Sequence, residues 1–412
     1  MNDILLNKSE LKNNQEIIIS GSKSETNRLL LLQALYPNLK IENASKSDDS
    51  EVMKNALQAV GKLSKINVHH AGTAMRFLTS FYAIQEGLEV VISGSERMHE
   101  RPIKILVDAL NQLGSDILYL NEEGFPPIKI IGKKIQSNKV LIDANVSSQY
   151  ITSLMLIGSS LPNGIEIQLK GTITSIPYIK MTLSVLQSLG IEAEFENNII
   201  KIPHTEKPSN DTFVVESDWS SASYFYSLIA LSKIDTQITL RYFMQNSLQG
   251  DAVLAEIYQN FGVQTTFTDN KIILKKVENS SIKNLNLNLN NAPDIAQTII
   301  VTCLGLGITC NLTGLHTLKI KETDRLQALK NELEKFGADV LISDDSIQLN
   351  NSVVFQNETI AVETYQDHRM AMAFAPLVLK QYLQIKNAAV VSKSYPNFWN
   401  DLKVIGLSVS CL

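Results

Sequence analysis

Residues 332–349 read ELEKFGADVLISDDSIQL, and close variants of this stretch recur along the chain. A helix end leads to Gly337, the residue type that commonly follows a helix in the left-handed conformation. The alternating segments on either side of Asp344 and Asp345 then predict a β-hairpin. The other copies are ALNQLGSDILYL at 109–120, VLQSLGIEAEFENNIIKI at 185–202 and IYQNFGVQTTFTDNKIIL at 257–274.

The spacing of these copies sets the expected architecture. Their glycines lie 72 to 76 residues apart, and a weaker copy surrounds Gly61. Repetition of one helix-plus-hairpin unit predicts a fold built from similar modules. A chain of 412 residues is long for a single core, so two similar lobes are expected. No Pro- or Ser-rich linker separates the two expected lobes. We therefore expect the chain to pass directly from one lobe to the other and not through a flexible linker.

Composition excludes several classes of protein. The chain is 44% hydrophobic with a net charge of −5, which argues against a nucleic-acid coat or a polybasic membrane binder. Three cysteines are too few for a disulfide framework, and no C-x-x-C pair predicts zinc, so a reducing cytoplasm fits best. The first residues, MNDILLNKSELKNNQ, lack the apolar core of a signal peptide. Residues 295–318 are uncharged but rich in Thr and Gly, which favours a buried helix and strand over a membrane span.

Arginine is rare in this chain, and its placement is informative. Of 37 cationic residues seven are arginine, and six of the seven lie where a helix is predicted to begin. Cations there oppose the helix dipole, unless an anion binds the free N–H groups and the cations together. The pattern therefore predicts a small, multiply charged anionic substrate held by several helix starts. The alternative is that carboxylates on neighbouring loops pair with these arginines. The six are Arg28, Arg76, Arg97, Arg101, Arg325 and Arg369.

Eight motifs carry a family resemblance. In chain order they are GSKSETNRLLLL, AGTAMRFL, ERMHERPI, VSSQY, SSASYF, PDIAQT, KETDRLQAL and YQDHRMAMAFAP. The ordered set resembles the signatures of the EPSP synthase family and covers nearly the whole chain. The resemblance implies transfer of the enolpyruvyl group of phosphoenolpyruvate to the 5-hydroxyl of shikimate 3-phosphate, giving EPSP and phosphate. It also implies an α/β fold, a two-lobed inside-out α/β barrel. Each lobe would hold three βαβαββ-type repeats with helices inside and sheets outside.

The resemblance implies lobe boundaries and a place for the site. One lobe would comprise residues 1–20 plus 218–412, the other residues 21–217, with both substrates in the cleft between them. The implied catalytic residues are Lys23, Asp294, Glu322 and His368. Those implied for phosphoenolpyruvate are Lys23, Gly72, Arg97, Gln149, Arg325, Arg369 and Lys393. Those implied for shikimate 3-phosphate are Lys23, Ser24, Arg28, Ser147, Ser148, Gln149, Ser175, Tyr178, Asp294 and Lys321.

The reaction accounts for these residue types. The attacking hydroxyl loses a proton and C3 of phosphoenolpyruvate gains one, so two carboxylates in different surroundings serve as base and acid. Arginines neutralise the carboxylate and phosphate charges. For Arg76 and Arg101, bracing of loops remains an alternative to substrate binding, and for Ser220–Ser223 the alternative to a role in the site is a helix cap. No metal or organic cofactor is implied, and a cytoplasmic monomer that is a target of glyphosate is expected.

Four features depart from the family pattern. His70 stands where Asn is usual, Phe77 where Pro is usual, and Thr317 where Asn is frequent. The segment between Gly61 and His70 is short, which predicts that one strand pair is missing.

Two other functions remain as alternatives. The first is UDP-N-acetylglucosamine enolpyruvyl transferase, which typically carries a catalytic Cys in its first half. Here the first cysteine is Cys303. The second is a non-catalytic anion-binding protein, which would not need Asp294 and Glu322 beside the cations.

Overall fold

The computed structural model describes residues 3–62 and 64–412. The chain divides into two compact units, Met1–Ser20 with Glu216–Leu412, and Gly21–Val215. The chain thus crosses between units at residues 20–21 and 215–216. The boundary expected from the sequence, after residue 217, lies two residues beyond the second crossing.

The described residues form thirteen α-helices and six short 3₁₀ turns. The helices are α1 Lys23–Leu35, α2 Asp48–Gln58, α3 Gly72–Ala83, α4 Glu96–His99, α5 Lys104–Leu113, α6 Ser148–Gly158, α7 Ile176–Ser188, α8 Trp219–Leu231, α9 Leu254–Ile257, α10 Ala296–Leu306, α11 Arg325–Glu334, α12 His368–Phe374 and α13 Phe398–Val404. The 3₁₀ turns are Gly250–Val253, Tyr258–Phe261, Pro293–Ile295, His316–Ile320, Ala375–Leu379 and Ala388–Lys393.

The described residues also form twenty-two strands. They are β1 Ile4–Asn7, β2 Gln15–Ile17, β3 Lys40–Glu42, β4 Lys65–Asn67, β5 Glu89–Ser93, β6 Asp116–Tyr119, β7 Ile128–Ile131, β8 Lys139–Asp143, β9 Ile165–Lys170, β10 Glu194–Glu196, β11 Ile199–Ile202, β12 Thr212–Val214, β13 Gln237–Arg241, β14 Val263–Thr268, β15 Lys271–Lys276, β16 Asn284–Asn288, β17 Thr309–Thr313, β18 Val340–Ile342, β19 Ile347–Leu349, β20 Thr359–Val362, β21 Tyr382–Ile385 and β22 Ser408–Cys411.

Within Gly21–Val215 the strands form two four-stranded sheets and one pair. The sheets have the orders β4-β5-β7-β6 and β10-β11-β9-β8, and the pair is β12-β3. Each four-stranded sheet joins a parallel pair, β4 with β5 or β8 with β9, to an antiparallel hairpin. In β8, Val140 and Ile142 are buried while Leu141 between them is exposed. This period of two shows that one face of the sheet packs on the core.

Among the described residues, the third repeat of this unit shows no hairpin. β3 pairs only with β12, and the described residues between α2 and β4 form turns. This confirms the missing strand pair that the short segment between Gly61 and His70 predicts. Leu63, inside that segment, lies outside the described residues.

The unit that contains Glu216–Leu412 holds three four-stranded sheets. Their orders are β20-β21-β1-β22, β14-β15-β13-β2 and β16-β17-β19-β18. Each again combines a parallel pair with antiparallel strands, as β16 with β17 and β19 with β18 illustrate. The N-terminal strands β1 and β2 complete two of these sheets, so the beginning of the chain belongs to this unit.

Helices occupy the middle of each unit. In one unit α1, α3 and α6 contact one another, and in the other α10 contacts both α8 and α12. Every residue of α12 is buried, and α8 exposes only part of one residue, Ser220. A helix that is buried all round belongs in a core. The expected arrangement of helices inside and sheets outside is therefore confirmed within each unit.

The repeated glycines end helices as expected. Gly114 follows α5 with φ of 103°, and Gly262 follows the 3₁₀ turn Tyr258–Phe261 with φ of 72°. This left-handed conformation is strained for residues with a Cβ. In the described part of the chain, no helix is both long and apolar enough to span a membrane.

Candidate active site

The start of α1 places an ammonium group beside a second helix start. Ser22 caps α1, because its hydroxyl accepts a hydrogen bond from the Glu25 N–H. Lys23, the first residue of the helix, forms an ion pair with Asp49 in the first turn of α2, at 3.2 Å between Nζ and Oδ2. Both side chains are largely buried, at 17% and 10% exposure. Asp49 is a neighbour that the sequence analysis did not identify.

Arg28 lies one turn further along α1 and is buried. Its guanidinium donates to the Ser24 carbonyl at 2.7 Å, to the Tyr178 carbonyl at 3.3 Å and to Thr182 Oγ1 at 2.8 Å. All three acceptors are neutral oxygens, and burial lowers the pKa of Arg28 to about 10. A buried cation that bonds only neutral groups is costly, and an anion would relieve that cost. The structure thus brings Ser24, Arg28 and Tyr178 together.

Two further helix starts carry predicted residues. Ser147 caps α6 by accepting from the Gln149 N–H, and Ser148 is buried next to it. The Gln149 amide donates to Thr73 Oγ1 at 3.2 Å, which joins the start of α6 to the start of α3. Ser175 precedes α7 in the left-handed conformation, with φ of 54°.

Gly72 opens α3 directly beneath a guanidinium. A Cβ at Gly72 would lie 2.5 Å from one terminal nitrogen of Arg101 and 2.6 Å from the other. Glycine is therefore required for Arg101, which is itself buried, to lie against this helix start. Arg76 donates to the Gly72 and Pro102 carbonyls at 3.2 and 2.8 Å, contacts that suit a brace between these two loops.

Arg97 lies in a different environment. It is 34% exposed on its short helix α4 and pairs with Glu100, three residues on, at 2.7 Å. Of the arginines in ERMHERPI, the structure therefore places Arg101 against Gly72, whereas the sequence analysis chose Arg97.

In the other unit, Arg325 binds three carboxylates. It is the first residue of α11 and its side chain is 2% exposed. Its Nε donates to Asp367 at 2.7 Å, and its two terminal nitrogens donate to Asp294 and Glu322, each at 2.9 Å. Burial acts to lower the pKa of Arg325, but the charges of Asp367, Glu322 and Asp294 outweigh it and raise that pKa. Arg325 thus fixes both predicted proton-transfer carboxylates in one place.

Asp294 lies between this arginine and two other cations. It belongs to the 3₁₀ turn Pro293–Ile295 that leads into α10. Its Oδ1 is 3.5 Å from Lys321 Nζ, and its Oδ2 is 3.1 Å from Arg369. Burial lowers the pKa of Lys321, although the Asp294 charge acts to raise it. The ammonium is therefore held in a poorly solvated position close to the carboxylate.

The start of α12 supplies the remaining predicted groups. Asp367 caps this helix by accepting from the Arg369 N–H at 2.8 Å. His368 is buried, with Nδ1 3.9 Å from Asp367 Oδ1. Lys393, at the end of the 3₁₀ turn Ala388–Lys393, donates to the Gln366 carbonyl at 2.6 Å. These contacts join seven of the predicted residues through neighbouring side chains and one helix start. We call this set the Arg325 cluster: Asp294, Lys321, Glu322, Arg325, His368, Arg369 and Lys393.

Sequence reasoning missed the serine and carboxyl groups behind Arg369. The cap of α8 is Asp218, which accepts from the Ser221 N–H at 2.7 Å. Ser220 instead accepts from Arg369 at 3.3 Å and donates to Asp251. Asp251 is 4% exposed, and burial, followed by the charge of Asp294, raises its pKa to about 7. No charge pattern in the sequence marks Asp251.

Each unit therefore gathers predicted residues at helix starts, with cations beside acceptors and hydroxyl groups. This arrangement suits the binding of an anion. Across residues 3–62 and 64–412, no group of three or more His, Cys, Asp or Glu side chains could hold a metal ion.

Comparisons of fold define the class of protein. A solved EPSP synthase from Acinetobacter baumannii superposes with a TM-score of 0.79 over 100% of both chains, at 19% identity. At that identity the likeness shows the fold alone, an α/β fold shared with EPSP synthases.

Comparisons of sequence go further. The family model described as EPSP synthase (3-phosphoshikimate 1-carboxyvinyltransferase) matches residues 64–402. The 3-phosphoshikimate 1-carboxyvinyltransferase of Bacteroides fragilis strain YCH46 is 41% identical over 396 residues, 95% of each chain. That of Pasteurella multocida strain Pm70 is 35% identical over 419 residues, 93% of this chain and 94% of the other. The chain belongs to the EPSP synthase family.

Proposed function

We propose that this chain transfers the enolpyruvyl group of phosphoenolpyruvate to the 5-hydroxyl of shikimate 3-phosphate, releasing phosphate. Family membership supports the reaction. The observation that carries the proposal is the Arg325 guanidinium, which holds Asp294 and Glu322 beside two further cations, Lys321 and Arg369. An addition–elimination needs two proton-transfer groups within a site that binds anions.

The chemistry proceeds in two balanced steps. In the addition, the 5-hydroxyl oxygen bonds to C2 of phosphoenolpyruvate, loses its proton, and C3 gains a proton to become a methyl group. In the elimination, that methyl group loses a proton, the C2–O bond to phosphate breaks, and the enol ether forms. We assign the shikimate hydroxyl side to Asp294 and the C3 side to Glu322, with Lys23 and His368 completing the catalytic set.

The phosphate of shikimate 3-phosphate is assigned to the unit Gly21–Val215. Arg28 is supported because its hydrogen bonds go to neutral oxygens, and burial lowers its pKa although the Glu25 charge acts to raise it. Helix starts add free N–H groups and hydroxyls to such a site. For the whole shikimate 3-phosphate molecule, and not its phosphate alone, the proposed set is Lys23, Ser24, Arg28, Ser147, Ser148, Gln149, Ser175, Tyr178, Asp294 and Lys321.

The residues proposed for phosphoenolpyruvate are those that the resemblance implies, including Arg97, with one addition. We add Arg101, because its guanidinium lies against Gly72. A planar guanidinium suits a carboxylate or phosphate better than an ammonium does. The proposed set is Lys23, Gly72, Arg97, Arg101, Gln149, Arg325, Arg369 and Lys393.

We further infer a monomer that works in the cytoplasm. Three free cysteines, two of them buried, support a reducing compartment. Sedimentation velocity of the purified chain tests the monomer, and a dimer at micromolar concentration would contradict it.

The test of function is phosphate release in steady state. Phosphate should appear from phosphoenolpyruvate only when shikimate 3-phosphate is present. UDP-N-acetylglucosamine in its place should give none. Release with the nucleotide sugar would favour the other enolpyruvyl transferase, and binding of both anions without release would favour an anion-binding protein.

A further inference from the structure

Asp251 is a buried carboxyl group for which the proposed chemistry has no use. It lies in the 3₁₀ turn Gly250–Val253 after strand β13 and is 4% exposed. Its Oδ2 accepts from the Ser220 hydroxyl, and its Oδ1 has no hydrogen-bond partner among the described residues. A buried carboxylate with one oxygen unsatisfied is costly in its charged form.

Ser220 joins this carboxyl group to the Arg325 cluster. Its Oγ accepts from the Arg369 guanidinium at 3.3 Å while its proton points to Asp251. The same guanidinium donates to the Asp294 carbonyl at 3.1 Å and lies 3.1 Å from the Asp294 carboxylate. Arg369 is thus oriented from one side by Asp294 and from the other by the Ser220–Asp251 pair.

The charges around Asp251 set its response to a ligand. Asp294 and Asp218 act to raise its pKa, and Arg369 acts to lower it. Glu256, on the next helix, is exposed to solvent. An anion bound to Arg369 would neutralise the one cation that favours the charged form of Asp251. The Ser220 hydrogen bond still favours the charged form, whereas burial and the charges of Asp294 and Asp218 favour the protonated form.

We propose that Asp251 is a positioning residue of the anion site, which orients Arg369 through Ser220 and takes up one proton from solvent when an anionic substrate binds. This rests on the proposed function, in which Arg369 binds phosphoenolpyruvate. The proton enters Asp251 and no covalent bond to substrate forms or breaks. Substrate affinity is therefore linked to pH through a group that touches no substrate atom.

The linkage has a defined sign and size. Because burial, followed by the charge of Asp294, raises the pKa of Asp251 to about 7, binding at pH 6 should require little proton uptake. Above pH 7 uptake opposes binding, and the KM for phosphoenolpyruvate should rise by up to about tenfold between pH 6 and pH 8. The kcat at saturating substrate should change less, since the bound state has already taken up its proton.

The experiment compares four proteins at saturating shikimate 3-phosphate between pH 6 and pH 9. They are the wild type, Asp251→Asn, Ser220→Ala and the control Asp401→Asn. Asp401 is a partly buried carboxyl with a raised pKa that bonds Tyr395 and Asn397 instead. The ionisation of phosphoenolpyruvate itself is common to all four, so it cancels when their KM profiles are compared.

The proposal expects a flatter KM profile for Asp251→Asn, with wild-type behaviour for Asp401→Asn. Ser220→Ala, which breaks the link to Arg369, should raise the KM at every pH with a smaller change in kcat. Infrared difference spectra should show a protonated carboxyl band when phosphoenolpyruvate is added to the wild type, and none with Asp251→Asn.

The results that would overturn the role of Asp251 differ from the result that would contradict the proposed enzymatic function. Equal KM profiles in wild type and Asp251→Asn, with turnover intact, would remove the role of Asp251 and leave the reaction standing. Should Asp251→Asn not fold, an unchanged KM in Ser220→Ala together with no carboxyl band in the wild type would also overturn it. Absence of turnover by the wild type would contradict the proposed function itself.

Discussion

Replacement of Gly72 by alanine tests the contact that the structure places at the start of α3. The added Cβ would lie 2.5, 2.6 and 2.8 Å from three atoms of the Arg101 guanidinium, where ordinary contacts are 3.4–4 Å. The guanidinium must therefore retreat by roughly 1 Å. It is the far end of a flexible side chain, so the free energy of unfolding should fall by only about 1 kcal/mol.

The effect on substrate should be larger than the effect on stability. A hydrogen bond to a charged group contributes about 1.5–3 kcal/mol, so a displaced guanidinium should raise the KM for phosphoenolpyruvate roughly 10- to 100-fold. We expect the wild type to be inhibited by glyphosate at the phosphoenolpyruvate site. The added methyl group should weaken binding of glyphosate, which is longer, more than binding of phosphoenolpyruvate. The inhibition constant of glyphosate should therefore rise more than the KM for phosphoenolpyruvate.

The assay is phosphate release, measured in a double-mutant cycle with Arg101→Met. If the methyl group acts by displacing Arg101, Gly72→Ala should change the KM by less than about twofold once Arg101 is gone. Equal fold-changes in both backgrounds would refute this reasoning. Equal changes in the inhibition constant and the KM would show that Gly72 does not face the additional length of glyphosate.

Three further substitutions have outcomes fixed by the contacts. Lys23→Met should abolish most turnover while its melting temperature stays within a few degrees of the wild type. The control Lys54→Met, at an exposed position on α2, should alter neither turnover nor melting temperature. Turnover of Lys23→Met within a few-fold of wild type would remove Lys23 from the site. Arg325→Met leaves three carboxylates without their shared cation, so denaturant unfolding should show a loss of about 3–5 kcal/mol at pH 7. Lys276 is 1% exposed, and burial lowers its pKa to about 8, below the value of the unfolded chain. Below pH 8 the charged form of Lys276 destabilises the fold, so Lys276→Met should have a higher free energy of unfolding than the wild type at pH 7. This difference should vanish as the pH approaches 10.5. A difference that grows with pH would contradict the prediction.

Local signals predicted the repeated modules. Glycines after helices and Asn or Asp pairs between strands are favoured by local backbone conformation alone. For this reason Gly114 and Gly262 end their helices as expected. The missing hairpin was also visible, as a shortened segment before His70. The helix starts at Ser22 and Asp367 follow from capping residues next to apolar runs.

Partners within the site could not be predicted in the same way. Asp49 and Asp251 acquire their contacts from elements far apart in sequence, and nothing local distinguishes them from surface residues. Ser220 lies in the motif SSASYF, but its bond to Asp251 also joins distant segments. The place of Arg101 could not be predicted for the same reason, since Arg97 and Arg101 lie within one short motif. Only the tertiary structure shows that Arg101 lies against Gly72 and that Arg97 pairs with Glu100.

The fate of one oxygen atom tests the central claim most directly. Shikimate 3-phosphate labelled with oxygen-18 at the 5-hydroxyl is incubated with phosphoenolpyruvate and the purified protein, and products are weighed by mass spectrometry. Our account predicts a product that is heavier by one enolpyruvyl group and retains the label, with one unlabelled phosphate released per product. Labelled phosphate, a product heavier by one phosphoryl group, or no product would contradict it.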